Sequence, residues 1–355
     1  MTSLQPVLLL LLLFCVPAAA GTLSVEVLDV GQGDSILIRT PGQKIILIDA
    51  GDEPDETLHL LQSRAVDHID LMVATHPHAD HIGGMQSVVE KIPTKLFVDN
   101  GLPHTTKTYA NLMSTVEKKG IQYRTAIVGQ TYRLDDGATL EVLFPTGRPL
   151  RNTRSDLNSN SVVVRLRHQG NCFLFTGDAE EPTESELLKS GLSQCDVLKV
   201  AHHGSNHSST TRFLSVVRPK IALISAGASN NYGHPGRDTL ANLHAIGAKI
   251  YRTDESGSVT LQSSEKGLEV TTKPTSPGSF QAPRTTRQLT TTGTAQGPAT
   301  HVHACKYVAS SSSKVFHEPG CRYAQRIKAS NRQCFSDKTS AVKQGKRPAG
   351  CCKPQ

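Results

Sequence analysis

The alternation of short apolar strands with helical stretches between residues 21 and 271 constrains the fold most strongly. The predicted strands are "LSVEVLDV", "DSILIRT", "QKIILIDA", "IDLMVAT", "KLFVDN", "ATLEVLF", "SVVVRLRHQ", "NCFLFTGD", "CDVLKVAHH" and "KIALISAG". The segments between them predict helices, namely "DETLHLLQSRAV", "IGGMQSVVEKI", "TKTYANLMSTVEKKG", "EPTESELLKSG" and "TTRFLSVVR". Helices interleaved with two runs of strands predict a layered α/β domain at residues 21–270.

The first twenty residues differ from this central region. The run "PVLLLLLLFCVPAAA" ends in small residues, which predicts a signal peptide at residues 1–20 that is cleaved before Gly21. The run is shorter than the roughly 20 apolar residues of a bilayer span, so a membrane anchor is the weaker alternative. Lipid attachment at Cys15 is a minority alternative, because Phe14 is bulky for that position. We expect a secreted or periplasmic protein with no stable membrane insertion.

The composition changes abruptly after the α/β region. Residues 271–300 are almost entirely Thr, Ser, Pro, Gly, Gln and Ala, which predicts a disordered linker. Residues 301–355 carry five of the eight cysteines and a net charge of +9, whereas residues 21–271 carry −5. This basic module either keeps a small tail soluble or binds a polyanion, such as nucleic acid or an anionic envelope polymer.

The segment "ATHPHADHIGG" joins a predicted strand to a predicted helix and is dense in metal-ligand types. Imidazole and carboxylate groups bind zinc, manganese and iron. Four such groups within six residues would crowd a single ion. The spacing therefore predicts two adjacent metals, with His76 and His78 on one and Asp80 and His81 on the other.

Further ligand types occur where later strands end. In "LFTGDAE" an apolar strand ends at Asp178, at a position where a carboxylate could bridge two ions. His202 and His203 follow "LKVA", and His234 lies in "NNYGHPG". Each residue alone would more often be a cap or a satisfied polar group. Together with the histidine-rich segment they favour one metal centre.

The ordered segments "LDVGQGDSILI", "LIDAGD", "THPHADHIGG", "LFTGDAE", "LKVAHHGS" and "ISAGASNNYGHP" resemble the metallo-β-lactamase superfamily, in its branch like the hydrolase domain of ComEC competence proteins. The resemblance covers residues 22 to about 265. It implies an αββα sandwich with a dinuclear metal site. Asp49 matches the aspartate in the first sequence motif of the superfamily. The implied ligands are His76, His78, Asp80, His81, Asp178 and one of the pair His202 and His203.

One departure from the superfamily pattern concerns the first metal. Most members have another histidine before the bridging aspartate, whereas this chain has "SDLNSNSVVVRL" there. The first metal would then have only His76, His78 and Asp178. Since oxygen-rich coordination suits manganese, the two divalent ions are expected to be zinc or manganese.

These features predict a secreted metal-dependent phosphodiesterase or nuclease whose substrate and partner is DNA or RNA. A metal pair bridged by Asp178 lowers the pKa of bound water and offsets charge on the reacting oxygens. We assign catalytic roles to Asp80 and to His234, which could contact a phosphoryl oxygen or protonate the leaving group. Four residues are candidates for binding substrate phosphate: Asn158, Asn160, Ser161 and Ser205.

Two other classes of function stay open. One is hydrolysis of a non-nucleic ester, such as a choline phosphoester or a lactone. The other is a non-catalytic nucleic-acid-binding competence protein, which the complete set of ligand types disfavours.

The C-terminal segment resembles the small Ada-like metal-binding domain appended to exported nucleases. His317, Cys321 and Cys352 match its pattern, but Ala349 replaces one cysteine and Cys351 is the nearest substitute. We predict a second metal site, for one zinc ion, at His317, Cys321, Cys351 and Cys352. Disulfides are the alternative. In the α/β domain, Cys172 and Cys195 are predicted to be buried, unpaired thiols.

Overall fold

The computed structural model describes residues 21–273 except 136 and 229, and residues 305–310, 315–318, 327 and 332–348. They form two compact units, one on each side of the gap between residues 273 and 305. The predicted signal peptide, nearly all of the predicted linker, and Cys321, Cys351 and Cys352 lie outside the described residues. No helix in the described ranges has the length and apolar character needed to cross a bilayer.

In chain order, the strands of the first unit are β1 (Leu23–Val27), β2 (Ile36–Arg39), β3 (Ile45–Ile48), β4 (Ile69–Val73), β5 (Thr94–Asp99), β6 (Gln122–Thr125), β7 (Thr131–Arg133), β8 (Thr139–Phe144), β9 (Val163–His168), β10 (Asn171–Phe175), β11 (Val197–Lys199), β12 (Ile221–Ile224), β13 (Lys249–Arg252), β14 (Ser258–Ser264) and β15 (Gly267–Lys273). Its helices are α1 (Glu56–Ser63), α2 (Ala79–Ile82), α3 (Met85–Lys91), α4 (Lys107–Lys118), α5 (Glu181–Lys189), α6 (Thr211–Val217), α7 (Arg237–Ala245) and α8 (Thr253–Ser256).

The strands of the first unit form two sheets. Within the described residues, one has the order β15-β14-β1-β2-β3-β4-β5-β6 and the other β13-β12-β11-β10-β9-β8-β7. Neighbouring strands are parallel from β3 to β6 in the first sheet and from β10 to β13 in the second sheet. Because the carboxyl ends of neighbouring parallel strands meet at one sheet edge, the loops after β4, β10, β11 and β12 can converge.

The two faces of β3 show how the sheets and helices are layered. Ile46 and Ile48 belong to the core between the two sheets, whereas Ile45 and Leu47 pack with the helices outside the first sheet. A strand buried on both faces reads as a continuous apolar run, as "IILI" does. Helices α5 to α7 pack in the same way on the second sheet. The predicted αββα sandwich is confirmed.

Cys172 and Cys195 are buried as predicted, but the prediction of unpaired thiols was wrong, because these residues form a disulfide. Strands β10 and β11 are parallel neighbours with Phe173 opposite Val197, so residues just before these positions lie close together. The Cα atoms of the two cysteines are 4.8 Å apart. The register between strands creates this pair, and a single sequence does not display it.

The second unit contains β16 (Tyr307–Ser310), β17 (Val315–His317), β18 (Arg332–Phe335), α9 (Lys338–Lys343) and β19 (Arg347–Pro348). Its described strands form a sheet in the order β18-β16-β17-β19 around a small core that includes Phe316 and Phe335. Cys305 and Cys334 form a disulfide, so these two of the five tail cysteines follow the alternative that we disfavoured. The zinc site with buried His317 stays a prediction, because its three cysteines are not described.

Candidate metal centre

The histidine-rich loop follows β4 and is held at its base by Asp49. The carboxylate of Asp49 accepts hydrogen bonds from Thr75 N at 2.8 Å and Thr75 Oγ1 at 2.7 Å. His76 is buried, and its Nε2 lies 2.9 Å from Nδ1 of His78. The loop then enters the short helix α2, which carries Asp80 and His81. A strand end and one helical turn therefore present all four side chains of the motif.

A close backbone contact fixes the position of α2. Gly33 has a φ of +145°, and a Cβ there would lie 2.4 Å from the carbonyl oxygen of Asp80. The next residue, Asp34, donates its N–H to that same oxygen at 3.0 Å. Only glycine suits this position, because the conformation and the space both exclude a side chain.

Asp178, in the turn after β10, lies between the remaining ligand types. Its Oδ2 is 3.7 Å from His76 Nε2, and its Oδ1 is 3.2 Å from His81 Nε2. Two groups with mutually close ligand atoms share this carboxylate. We call His76, His78 and Asp178 the first cluster, and Asp80, His81, Asp178 and His203 the second cluster.

The turn after β11 separates the two neighbouring histidines. His202 (φ 52°, ψ 46°) and His203 (φ 53°, ψ 25°) both adopt the left-handed conformation, which is costly for residues with a Cβ. His203 is buried with Nε2 3.2 Å from Asp80 Oδ2, so it belongs to the second cluster. The side chain of His202 is 16% exposed, and its Nε2 is 3.6 Å from Asp178 Oδ2. The contacts of the two rings thus distinguish the two residues that the sequence left equivalent.

Outer contacts orient the imidazoles of the second cluster. Nδ1 of His81 lies 2.8 Å from Asp49 Oδ2, and Nδ1 of His203 donates to the carbonyl oxygen of Ser225 at 3.0 Å. Each Nε2 is therefore directed toward Asp178. A carboxylate or carbonyl on the far nitrogen is the usual support of a metal-binding histidine.

Burial and charge act in opposite directions on these groups. Burial lowers the pKa of His203, but the Asp178 and Asp34 carboxylates outweigh it and raise that pKa to about 10. The same competition raises the pKa of His81, whereas burial dominates at His76 and lowers its pKa well below the usual value. The imidazoles in turn hold the pKa of Asp178 well below its usual range despite burial. A metal cation could replace the protons that these carboxylates attract.

The residues fit a pair of divalent metals. Asp178 Oδ1 and His81 Nε2 are buried 3.2 Å apart, and neither makes a hydrogen bond of ordinary geometry among the described residues. Buried polar atoms are normally satisfied, so both are suited to coordinate an ion. Imidazole and carboxylate ligands of this kind are compatible with zinc or manganese.

A cleft of about 300 Å³ opens onto both clusters. Among the predicted substrate residues, Asn158 lines it, and its Nδ2 donates to Glu180 Oε1 at 3.3 Å. The predicted catalytic residue His234 also lines it. Burial, with the neighbouring histidines, lowers the pKa of His234 to about 4, so its ring is neutral near pH 7.

The other three predicted phosphate-binding residues are buried and support the surrounding loops. Asn160 donates to the carbonyl oxygens of Leu150 and Asp156. Ser161 Oγ accepts a hydrogen bond from Asp178 N at 3.2 Å, and Ser205 Oγ accepts one from a nearby backbone N–H. The structure does not place these three residues in the cleft lining.

Sequence reasoning missed several residues around the clusters. Glu180 is buried, contacts His202 Nδ1 at 3.4 Å and pairs with Arg154. Asp34 and Lys199 form a fully buried ion pair. For Lys199 the sequence did offer a signal, namely a lysine inside the apolar run "VLKVA". Lysine is almost never fully buried without a partner.

Comparisons with known proteins show the family of this chain. The model of the "Metallo-beta-lactamase superfamily" matches residues 28–228. "ComE operon protein 3" of Bacillus subtilis (strain 168) is 28% identical over 269 residues, covering 70% of this chain and 34% of that protein. "Competence protein ComA" of Neisseria gonorrhoeae is 32% identical and covers 69% of this chain and 33% of that protein. "Recombination protein 2" of Haemophilus influenzae is 31% identical over 70% of this chain and 30% of that protein.

This chain spans about a third of the length of these relatives. The family match extends from the end of β1 past β12 and so includes the loops that carry both clusters. Together with the His and Asp clusters, it identifies a metal-dependent hydrolase fold with a site compatible with two divalent metals. The chain belongs to the metallo-beta-lactamase superfamily, among homologues of ComEC-like competence proteins.

Proposed function

We propose that this protein is an exported metal-dependent phosphodiesterase that hydrolyses nucleic acid. The observation that carries the proposal is Asp178, whose two oxygens face two ligand clusters beside an open cleft. Two bound metals would supply an activated water and offset the charge of a phosphodiester during its displacement. The chain would supply the ligands, a carboxylate common to both clusters and a cleft that orients the substrate.

His234 and Asn158 are the proposed substrate contacts on the cleft wall. The neutral ring of His234 is suited to donate a hydrogen bond to a phosphoryl oxygen. Its lowered pKa, about 4, makes it a weaker candidate for a charged acid at pH 7. Nδ1 of this ring is buried without a hydrogen-bond partner among the described residues. Asn158 Nδ2, close to His202, is a second donor at the same cleft.

An exposed aromatic ring supports a nucleic-acid substrate. Tyr232 lines the cleft, is 59% exposed, and stacks on His234 with 5.8 Å between ring centroids. Such a ring can stack on a nucleobase while the attached phosphodiester lies over the clusters. The names of two relatives, which refer to competence and recombination, agree with a nucleic-acid substrate. The basic module, with its net charge of +9, is the proposed binding surface for the polymer backbone.

Hydrolysis of a non-nucleic ester is the second candidate. One observation favours it: the described residues that line the cleft include no lysine or arginine. A site of that kind does not by itself select an anionic polymer, and a lactone or choline phosphoester could enter it.

Export is part of the proposal. Both the Cys172–Cys195 and Cys305–Cys334 pairs are disulfides, and such bonds persist in oxidising compartments outside the cytosol.

The decisive experiment incubates purified full-length protein with labelled single-stranded DNA, duplex DNA, RNA, a small phosphodiester and a lactone. Manganese and zinc are added separately after chelation. We expect cleavage of a nucleic acid and of the small phosphodiester, with loss of both activities in Asp178→Ala. Lactone hydrolysis without phosphodiester hydrolysis would establish the second candidate instead.

Two variants test the substrate contacts. Tyr232→Ala should raise the KM for oligonucleotides about tenfold, because one stacking contact is worth about 1–3 kcal/mol. Tyr232→Phe, the matched control, keeps the ring and should behave like the wild type. Truncation after Lys273 should leave turnover of the small phosphodiester intact and flatten the salt dependence of DNA binding. Equal salt slopes would exclude the proposed role of the basic module.

A further inference from the structure

A buried ion pair connects the two sheets beneath the second cluster. Lys199, at the end of β11, is 0% exposed, and Asp34, just before β2, is 1% exposed. Nζ of Lys199 donates to Asp34 Oδ2 at 2.7 Å and to the carbonyl oxygen of Val200 at 3.1 Å. The pair therefore joins a strand of the second sheet to a loop of the first sheet.

The second oxygen of Asp34 faces a candidate ligand. Asp34 Oδ1 lies 3.3 Å from Nδ1 of His203, the nitrogen that also contacts the carbonyl oxygen of Ser225. Lys199 holds Oδ2, so the carboxylate cannot rotate away without leaving a buried ammonium unpaired. The backbone of Asp34 also contacts Asp80, since its N–H donates to the Asp80 carbonyl oxygen. One residue thus contacts two members of the second cluster.

Stability alone is a poor explanation for this pair. Removing two charges from water is expensive, and well-packed apolar residues often replace a buried ion pair at no cost in stability. An anion held by a cation does provide what an apolar pair cannot, namely a fixed negative charge 3.3 Å from Nδ1 of His203, beside the Ser225 carbonyl oxygen that accepts its N–H.

We propose that Asp34 and Lys199 are positioning residues that direct Nε2 of His203 into the second cluster and so set its metal affinity. Asp34 orients the imidazole, and Lys199 fixes Asp34. Neither residue would contact the metal or the substrate. The inference rests on the metal centre of the proposed function.

The test measures metal binding rather than hydrolysis. Full-length wild type, Asp34→Asn, Lys199→Met and the double variant are stripped and titrated with cobalt or zinc against a chromophoric chelator. Stoichiometry, both dissociation constants and the cobalt absorption spectrum are recorded, with thermal unfolding in parallel. Arg64→Met is the matched control, because it breaks a partly buried ion pair with Glu26 that is separate from the clusters.

We expect the single variants to weaken one of the two sites about 10- to 100-fold, the range for losing a supporting contact, and to alter the cobalt spectrum. The double variant leaves no unpaired charge, so its Tm should recover while the weakened site stays weak. Arg64→Met should lower Tm and leave both dissociation constants unchanged.

Two results would overturn the proposal. One is wild-type affinity at both sites in Asp34→Asn, which conserves shape and is the variant most suited to fold. The other is recovery of metal affinity together with Tm in the double variant, since the pair would then act only on stability. Wild type that binds fewer than two metals would instead refute the metal centre itself, and this inference with it.

Discussion

The two clusters share Asp178 but differ in what holds their other ligands. In the second cluster, both imidazoles are fully buried and have their Nδ1 atoms fixed, His81 by Asp49 and His203 by Ser225 and Asp34. In the first cluster, His78 is only partly buried, and its Nδ1 faces His76 Nε2 rather than an outer acceptor. Ligands that are already oriented lose little freedom on binding, so the second cluster should bind its metal more tightly.

The largest effect is expected from Asp178→Ala, which removes the one ligand common to both clusters. Hydrolysis should fall about 10³-fold or more, because the metal pair supplies several kcal/mol of charge stabilisation. Bound metal should drop below two per chain. Elemental analysis and turnover check this, with circular dichroism to confirm folding. Two metals with full activity in this variant would refute the shared-ligand arrangement.

Next in size is the contrast between the neighbouring histidines. His203→Ala should weaken one metal site by more than about 100-fold, beyond the effect of a lost supporting contact. His202→Ala should retain two metals and lower turnover, since His202 lies beside Asp178 and outside both clusters. Titration of the two variants in parallel checks the assignment. The opposite pattern would show that His202 is the ligand.

A smaller effect concerns the identity and exchange of the first metal. With His76, His78 and Asp178 as its ligands, that ion should be completed by water or substrate and exchange faster than its neighbour. Manganese should then restore more activity than zinc to the chelated protein, although zinc binds such sites more tightly. Addition of one metal at a time is the measurement. Greater activity with zinc at every concentration would contradict a loosely held first site.

The smallest effect on the difference in metal affinity between the two clusters is expected from the double substitution Cys172→Ser and Cys195→Ser. The disulfide connects the starts of β10 and β11, whose other ends lead to Asp178 and His203. Its loss should cost about 3 kcal/mol of unfolding free energy, the amount typical for a loop of this length. Denaturant unfolding measures this. Since the disulfide lies at the opposite ends of these strands from Asp178 and His203, the ratio of the two metal affinities should not change.

Local patterns in the sequence predicted much of the layout. The apolar runs predicted the main strands, because a strand buried on both faces needs apolar side chains throughout. The order of the motifs, through the family resemblance, predicted the αββα sandwich. The strand-to-helix loop predicted that His76, His78, Asp80 and His81 would project together, which they do.

Other features depend on contacts between distant segments. Nothing in "VAHHGS" distinguishes His202 from His203, since the choice follows from two successive left-handed residues and from what each ring meets. The same limit explains the wrong prediction for Cys172 and Cys195. Asn160, Ser161 and Ser205 have suitable side chains for phosphate, yet their hydrogen bonds are to the protein.

The sequence by itself determined ten main strands and five helices of the first unit, their order and the ligand chemistry, because apolar periodicity and residue type are local properties. Only the tertiary structure decided which oxygen of Asp178 faces which cluster and which histidine joins Asp80. It also decided that Lys199 crosses from one sheet to Asp34 on the other. The pairing of residues 165 positions apart depends on how the sheets pack, and packing is a property of the whole domain.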